Sequence, residues 1–147
     1  MKRELIAGAA GGALATVAMS AVMLAGQRAG LMADQPPKRV VRAMLPGHRH
    51  RPKSGEGVLG VMAHFGFGMA SGALFGLVTR GGPVRVSVAQ AYGLAIWAAS
   101  YAGWVPWMGV LPPIHRDSVG RQAVMAFGHI VYGTTLAMAL NRAARND

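Results

Sequence analysis

Apolar residues fill four stretches of the chain, Leu5 to Leu24, Val58 to Thr79, Val86 to Leu111 and Gln122 to Asn141, and none of the four contains a charged residue. Each is long enough, as a helix, to cross roughly 30 Å of hydrocarbon. With their margins they predict spans at about 5–26, 58–79, 84–110 and 119–141 within a single integral membrane domain, 1–147. The polar residues collect between them, above all in the basic loop 27–57. The expected fold is an all-α membrane protein of four transmembrane helices, built as two similar helical hairpins, with a short interfacial helix in the first loop.

Within the runs the small residues recur every four positions. Gly60, His64, Gly68, Gly72 and Gly76 form one such series, Met125, His129, Gly133 and Ala137 a second, and Gly8, Gly12, Thr16 and Ser20 a third. On a helix that step stacks the positions into one ridge nearly free of side chains. In lipid such ridges let backbones approach closely. Gly8, Gly12, Gly60, Gly68, Gly72, Gly76 and Gly133 are therefore the candidate helix-packing residues. The two ridges that carry a histidine resemble each other, HFGFG at 64–68 against HIVYG at 129–133. Each half of the chain also has a Pro-Pro loop followed by a basic residue, Pro36-Pro37-Lys38 and Pro112-Pro113 with Arg116. Two spans per half make the expected repeat parallel, not inverted.

The connections carry their own signals. Asp34 is placed to cap a helix starting at Pro36-Pro37, where a missing amide costs nothing. Val40, Val41, Met44 and Leu45 then share a face opposite Lys38 and Arg42, as in a helix lying on headgroups. Arg80-Gly81-Gly82-Pro83 reads as a tight turn that makes the second and third spans antiparallel neighbours. Tyr101, Trp104 and Trp107 sit near the end of the third span like an interfacial aromatic belt, and Pro106 should kink it. Asp117 or Ser118 starts the last helix, which closes with Asn141, Arg142 and Arg145 at the surface. Lys2 and Arg3 before an apolar run suggest a signal peptide, but the run exceeds the usual h-region, so a retained first helix is expected.

Composition changes this picture little. A formal charge of +10 is the electrostatic footprint of many phosphate binders. Here the cations lie in loops and at span ends, where anionic lipid headgroups are the nearest counter-charge, so no nucleic-acid partner is expected. Lys38, Arg39, Arg42, Arg49, Arg51 and Lys53 are the candidate headgroup-binding residues. Nine Lys and Arg fall after the first and third spans, through Arg121, against six elsewhere. The positive-inside rule then puts loops 27–57 and 111–118 in the cytoplasm, with Lys2 and Arg3 opposing. Cysteine is absent, which excludes disulfides and thiolate chemistry.

Taken together, the Pro-Pro loops, the H-x-x-x-G helix around His64 and the closing GHIVYG stretch at 128–133 resemble the YagU-like small bacterial inner-membrane proteins, a family of unknown function. The resemblance implies a bacterial inner (cytoplasmic) membrane and a link to acid or envelope stress. It brings no catalytic residues.

His64 and His129 are the ionisable groups inside the runs. An ionisable residue at membrane depth is a functional hypothesis by default. Three readings stay open: imidazoles hydrogen-bonded across a helix interface as structural glue, which is preferred; axial ligation of a haem or chlorin, with Gly68 and Gly133 making room; and a proton relay. His48, His50 and His115 do not suggest a metal site, because neighbouring arginines repel a cation and no carboxylate is near. The carboxylates Glu4, Asp34, Glu56, Asp117 and Asp147 all lie in loops or at span ends, which leaves no paired-carboxylate centre and no enzyme. The expected function is a non-enzymatic accessory or structural subunit that packs laterally on itself or on other membrane protein subunits. A haem- or pigment-binding protein and a small pH-sensitive channel or transporter are the alternatives.

Overall fold

In a computed structural model, residues 1–48 and 51–145 are described, and the described residues form helices without strands. They are α1 (Lys2–Arg28), α2 (Pro36–Met44), α3 (Glu56–Val78), α4 (Val86–Trp97), α5 (Val105–Trp107) and α6 (Val119–Arg145). A wider π-helical turn, Ala98–Trp104, joins α4 to α5, and a 3-10 turn, Ile114–Arg116, precedes α6. α1, α3 and α6 are long and apolar enough to cross a membrane.

The third apolar run, Val86 to Leu111, does not form one regular spanning helix. Gly103 takes φ −104° and ψ −106°, outside the helical region, and Pro106 lacks the amide that a continuous ladder would need there. The helix widens before this break, as helices do where the i→i−4 ladder is interrupted.

Glycine ridges set the packing. α3 runs antiparallel to α1, with Gly72 against Gly8 and Gly68 against Gly12, so close that a Cβ on any of them would fall within 3.0 Å of the facing backbone or side chain. α6 lies on the other side of α1, where Gly26 meets Val124 and Gly128 meets Met19. α4 then packs antiparallel on α6 through Gly93 against the His129 carbonyl and Gly133 against the Ala89 carbonyl. The order across the bundle is α3, α1, α6, α4. Met23, Thr16 and Leu136 are fully buried along its middle.

The short turn after α3 does not make α3 and α4 close neighbours, contrary to expectation. Their backbones stay apart, since each helix is already held at short range by a different partner. They meet through side chains: the Phe75 and Tyr92 rings lie 4.6 Å apart, and the Tyr92 hydroxyl donates to the Ser71 carbonyl at 2.8 Å. Two similar hairpins, α1/α3 and α4/α6, thus share one tight seam, α1/α6. The other seam is open.

Several polar residues sit differently from expectation. Asp34 does not cap α2. Gln35 holds the cap position without a side-chain bond, because the Asp34 carboxylate pairs with Lys38 and Arg42 instead. Tyr101 does not join an aromatic belt: it is 3% exposed and its hydroxyl bonds to the Asp117 carboxylate, while Trp107 stays 88% exposed. Ser118 caps α6 by accepting the Arg121 amide at 3.3 Å. Asn141 is not a surface residue. Its amide nitrogen donates to the Val84 carbonyl at 2.9 Å and its oxygen accepts the Val84 amide at 2.7 Å, tying the start of α4 to the end of α6.

Asn141→Ala leaves both Val84 groups unpaired, and Val84 is 8% exposed. Unsatisfied buried groups cost about 1–3 kcal/mol. Thermal unfolding in detergent should show a loss of that size, and an unchanged midpoint would show that water replaces the side chain.

Candidate functional site

The open seam between α3 and α4 encloses a chamber of about 240 Å³. At the Phe75–Tyr92 end the two helices touch; toward the α2 end they diverge, and α2 lies across the gap with Pro36, Pro37 and Val40 on the chamber wall. α2 reaches this place because Gly60 of α3 lets the Lys38 backbone approach within contact distance. The wall is largely apolar. Both histidines lie on it, His64 from α3 and His129 from α6.

The polar atoms around the chamber are mostly engaged with helix carbonyls. The Thr16 hydroxyl donates to the Gly12 carbonyl at 2.7 Å, Ser100 to Ile96 at 2.7 Å, and Tyr132 to Gly68 at 2.7 Å. His129 Nδ1 lies 2.8 Å from the Met125 carbonyl, which only accepts, so Nδ1 carries the proton and Nε2 is left as an acceptor. His64 Nε2 is buried and has no hydrogen-bond partner among the described residues.

His64 and Pro37 also line a second cavity, of about 390 Å³. This one is more polar and sits between α1, α2 and α3, with Gln27, Asp34 and Lys38 on its wall. The His64 ring is therefore part of the partition between a polar vestibule and an apolar chamber.

An ion cluster holds α2 in place. Arg42 donates through Nε to Glu56 Oε2 at 2.8 Å and through Nη2 to Glu56 Oε1 at 2.6 Å, and also reaches Asp34 at 3.3 Å. Lys38 lies 3.5 Å from both Asp34 and Glu56. The bidentate bond to Glu56 pushes the Arg42 guanidinium above its already high pKa, against the opposing effect of desolvation. Glu56 is 4% exposed because these partners wrap it, although it stands at the end of the bundle.

The candidate residues therefore separate into groups. Gly8, Gly12, Gly68, Gly72 and Gly76 all meet across the α1/α3 contact, Gly133 serves α6 against α4, and Gly60 seats α2. Neither Gly68 nor Gly133 opens space for a macrocycle, since Thr16 fills the first and the Ala89 backbone the second. Among the headgroup candidates, Arg42 and Lys38 are occupied by carboxylates, and Lys53 Nζ donates to the Arg42 carbonyl at 2.7 Å. Arg39 is half-buried, Arg51 is exposed, and Arg49, with His50, lies outside the described residues. Sequence reasoning missed Tyr132, Ser100 and the Pro36-Pro37 lid. Tyr132 had a signal, because it follows His129 by three and so shares its helix face.

A family model described as "Family of unknown function (DUF6789)" matches residues 2–147. The chain belongs to DUF6789. It is this family that matches, and the comparisons lend no support to the YagU-like name. No curated protein and no solved structure matches this DUF6789 chain.

Proposed function

We propose that the protein is a non-enzymatic, multi-pass membrane protein that binds a small lipophilic ligand in its chamber, with residues 86–107 making a fourth crossing beside α6. The observation that carries the reading is the chamber itself: an apolar cavity with two imidazoles on its wall, in a bundle packed elsewhere to backbone contact. Buried imidazoles at membrane depth are costly unless they serve a partner. Cavities of this size in apolar surroundings take up ring-sized molecules; about 150 Å³ suffices for benzene.

The glycine ridges pack within the chain and so no longer support the accessory-subunit reading. A haem or chlorin would require α3 and α4 to separate further, as about 240 Å³ lies below the roughly 300–1,000 Å³ of drug-sized sites. A channel is less favoured, since the Phe75–Tyr92 contact lies across the far end of the seam. The inner membrane, with the α2 end facing the cytoplasm, remains the proposed location.

Ala63 lies at the chamber mouth, so Ala63→Trp should fill it without disturbing a helix contact. The full chain, purified from its native membrane and extracted with solvent, should release a lipophile that mass spectrometry detects in wild type and not in this variant. Equal amounts from both proteins, or none from wild type, would contradict the proposal.

A further inference from the structure

From the hydrogen-bond inventory of the chamber we infer that its ligand is a neutral, hydroxyl-bearing lipophile, such as a phenol, a quinol or a long-chain alcohol, whose hydroxyl donates to His129 Nε2. This inference rests on the chamber being a binding site and adds the chemistry of what binds there.

The decisive feature is which hydrogens are already committed. Thr16, Ser100 and Tyr132 all point their hydroxyl hydrogens at helix carbonyls, and the Nδ1 hydrogen of His129 does the same. Their remaining capacity on the chamber side is to accept. The strongest of these acceptors is the Nε2 lone pair of a neutral imidazole. Donors are fewer. Ser71 lines the chamber, and its carbonyl, not its hydroxyl, serves Tyr92. His64 Nε2, with no partner among the described residues, supplies a donor in one tautomer, and Trp104 on the wall carries an indole N–H.

A ligand that only accepts, such as an ester, ether or quinone carbonyl, would leave His129 Nε2 unmatched in an apolar enclosure. Selectivity follows from that mismatch, because sites built around a buried polar group reject analogues that lack its partner. A hydroxyl satisfies both sides: its hydrogen goes to His129, and its oxygen accepts from Ser71, His64 or Trp104. No charge is needed on the ligand, and among the described residues the chamber wall presents no carboxylate or ammonium to balance one.

The test is a calorimetric titration of the full chain in detergent with para-propylphenol and with its methyl ether. The two probes have nearly the same shape and differ in the hydroxyl hydrogen. Binding that disappears in Ala63→Trp is counted as chamber binding. The phenol should bind about tenfold more tightly than the ether, as expected for one good hydrogen bond to a buried acceptor. In His129→Phe that preference should fall to near unity while the ether still binds. Equal affinities in wild type, or a preference for the ether, would overturn the hydroxyl inference and leave the chamber standing. Absence of chamber binding by both probes would overturn the binding reading and this inference with it. The wild-type comparison decides even if His129→Phe fails to fold.

Discussion

Gly72→Leu is expected to abolish the folded bundle in detergent. Gly72 faces the Gly8 carbonyl and the Gly12 backbone, with a Cβ alone already inside contact distance of both. A leucine there meets main chain, which cannot rotate away as a flexible side chain would. Overpacking a core typically costs about 1–3 kcal/mol, and the absence of any yielding neighbour puts this site at or beyond the upper end. Leu74, two residues on, is 56% exposed on the outer face, so Leu74→Ala should be nearly silent. Thermal melting followed by circular dichroism separates the two. Similar midpoints for both variants would mean that α1 and α3 are not in backbone contact.

Glu56→Gln should release α2 from the bundle while leaving α1, α3 and α6 packed. The substitution keeps the size and removes the charge that Arg42 grips with two hydrogen bonds and Lys38 approaches. Arg42 then keeps at most one neutral hydrogen bond to the amide oxygen and has Asp34, at 3.3 Å, as its carboxylate partner. Val41 is buried under α2, but one short helix buries too little apolar surface to hold the lid by itself. Hydrogen exchange should report amides of 40–44 opening at least roughly tenfold more often, with protection in the middle of α6 unchanged. Because Pro36, Pro37 and Val40 wall the chamber, probe exchange should also speed up. Unchanged exchange at α2 would show that apolar packing, not the ion cluster, holds the lid.

The three helices long and apolar enough to cross a membrane were legible because length and composition alone mark them: the runs from Leu5, Val58 and Gln122 lie in α1, α3 and α6. The step-of-four glycines marked which faces could approach a neighbour, since only Gly lets main chains touch. What the spacing does not contain is the identity of the neighbour. Gly68 and Gly133 carry the same local pattern, yet one meets α1 and the other α4. That choice depends on how all the ridges are satisfied at once, which no local window records. The break at Gly103 was likewise hidden, because Pro106 pointed to a kink without saying that the helix would widen before it. Polar residues were the least legible. Asp34 had a good capping position but found stronger partners in Arg42 and Lys38, and Asn141 looked like a surface residue until α4 was laid beside it. The two histidines were visible as depth anomalies; their shared chamber follows from the open α3/α4 seam, a property of the whole bundle.

The chain has no cysteine of its own, so two introduced thiols can be addressed without background. The most direct measurement is therefore bridging of His64→Cys and His129→Cys, in native membranes, with a short bifunctional thiol reagent. If both positions face one chamber, a single chain should be bridged internally, with both thiols consumed and no dimer formed. His64→Cys paired with Phe127→Cys, which is 57% exposed on the outer face of α6, should not bridge. Bridging of the second pair as readily as the first, or links forming only between chains, would contradict the account.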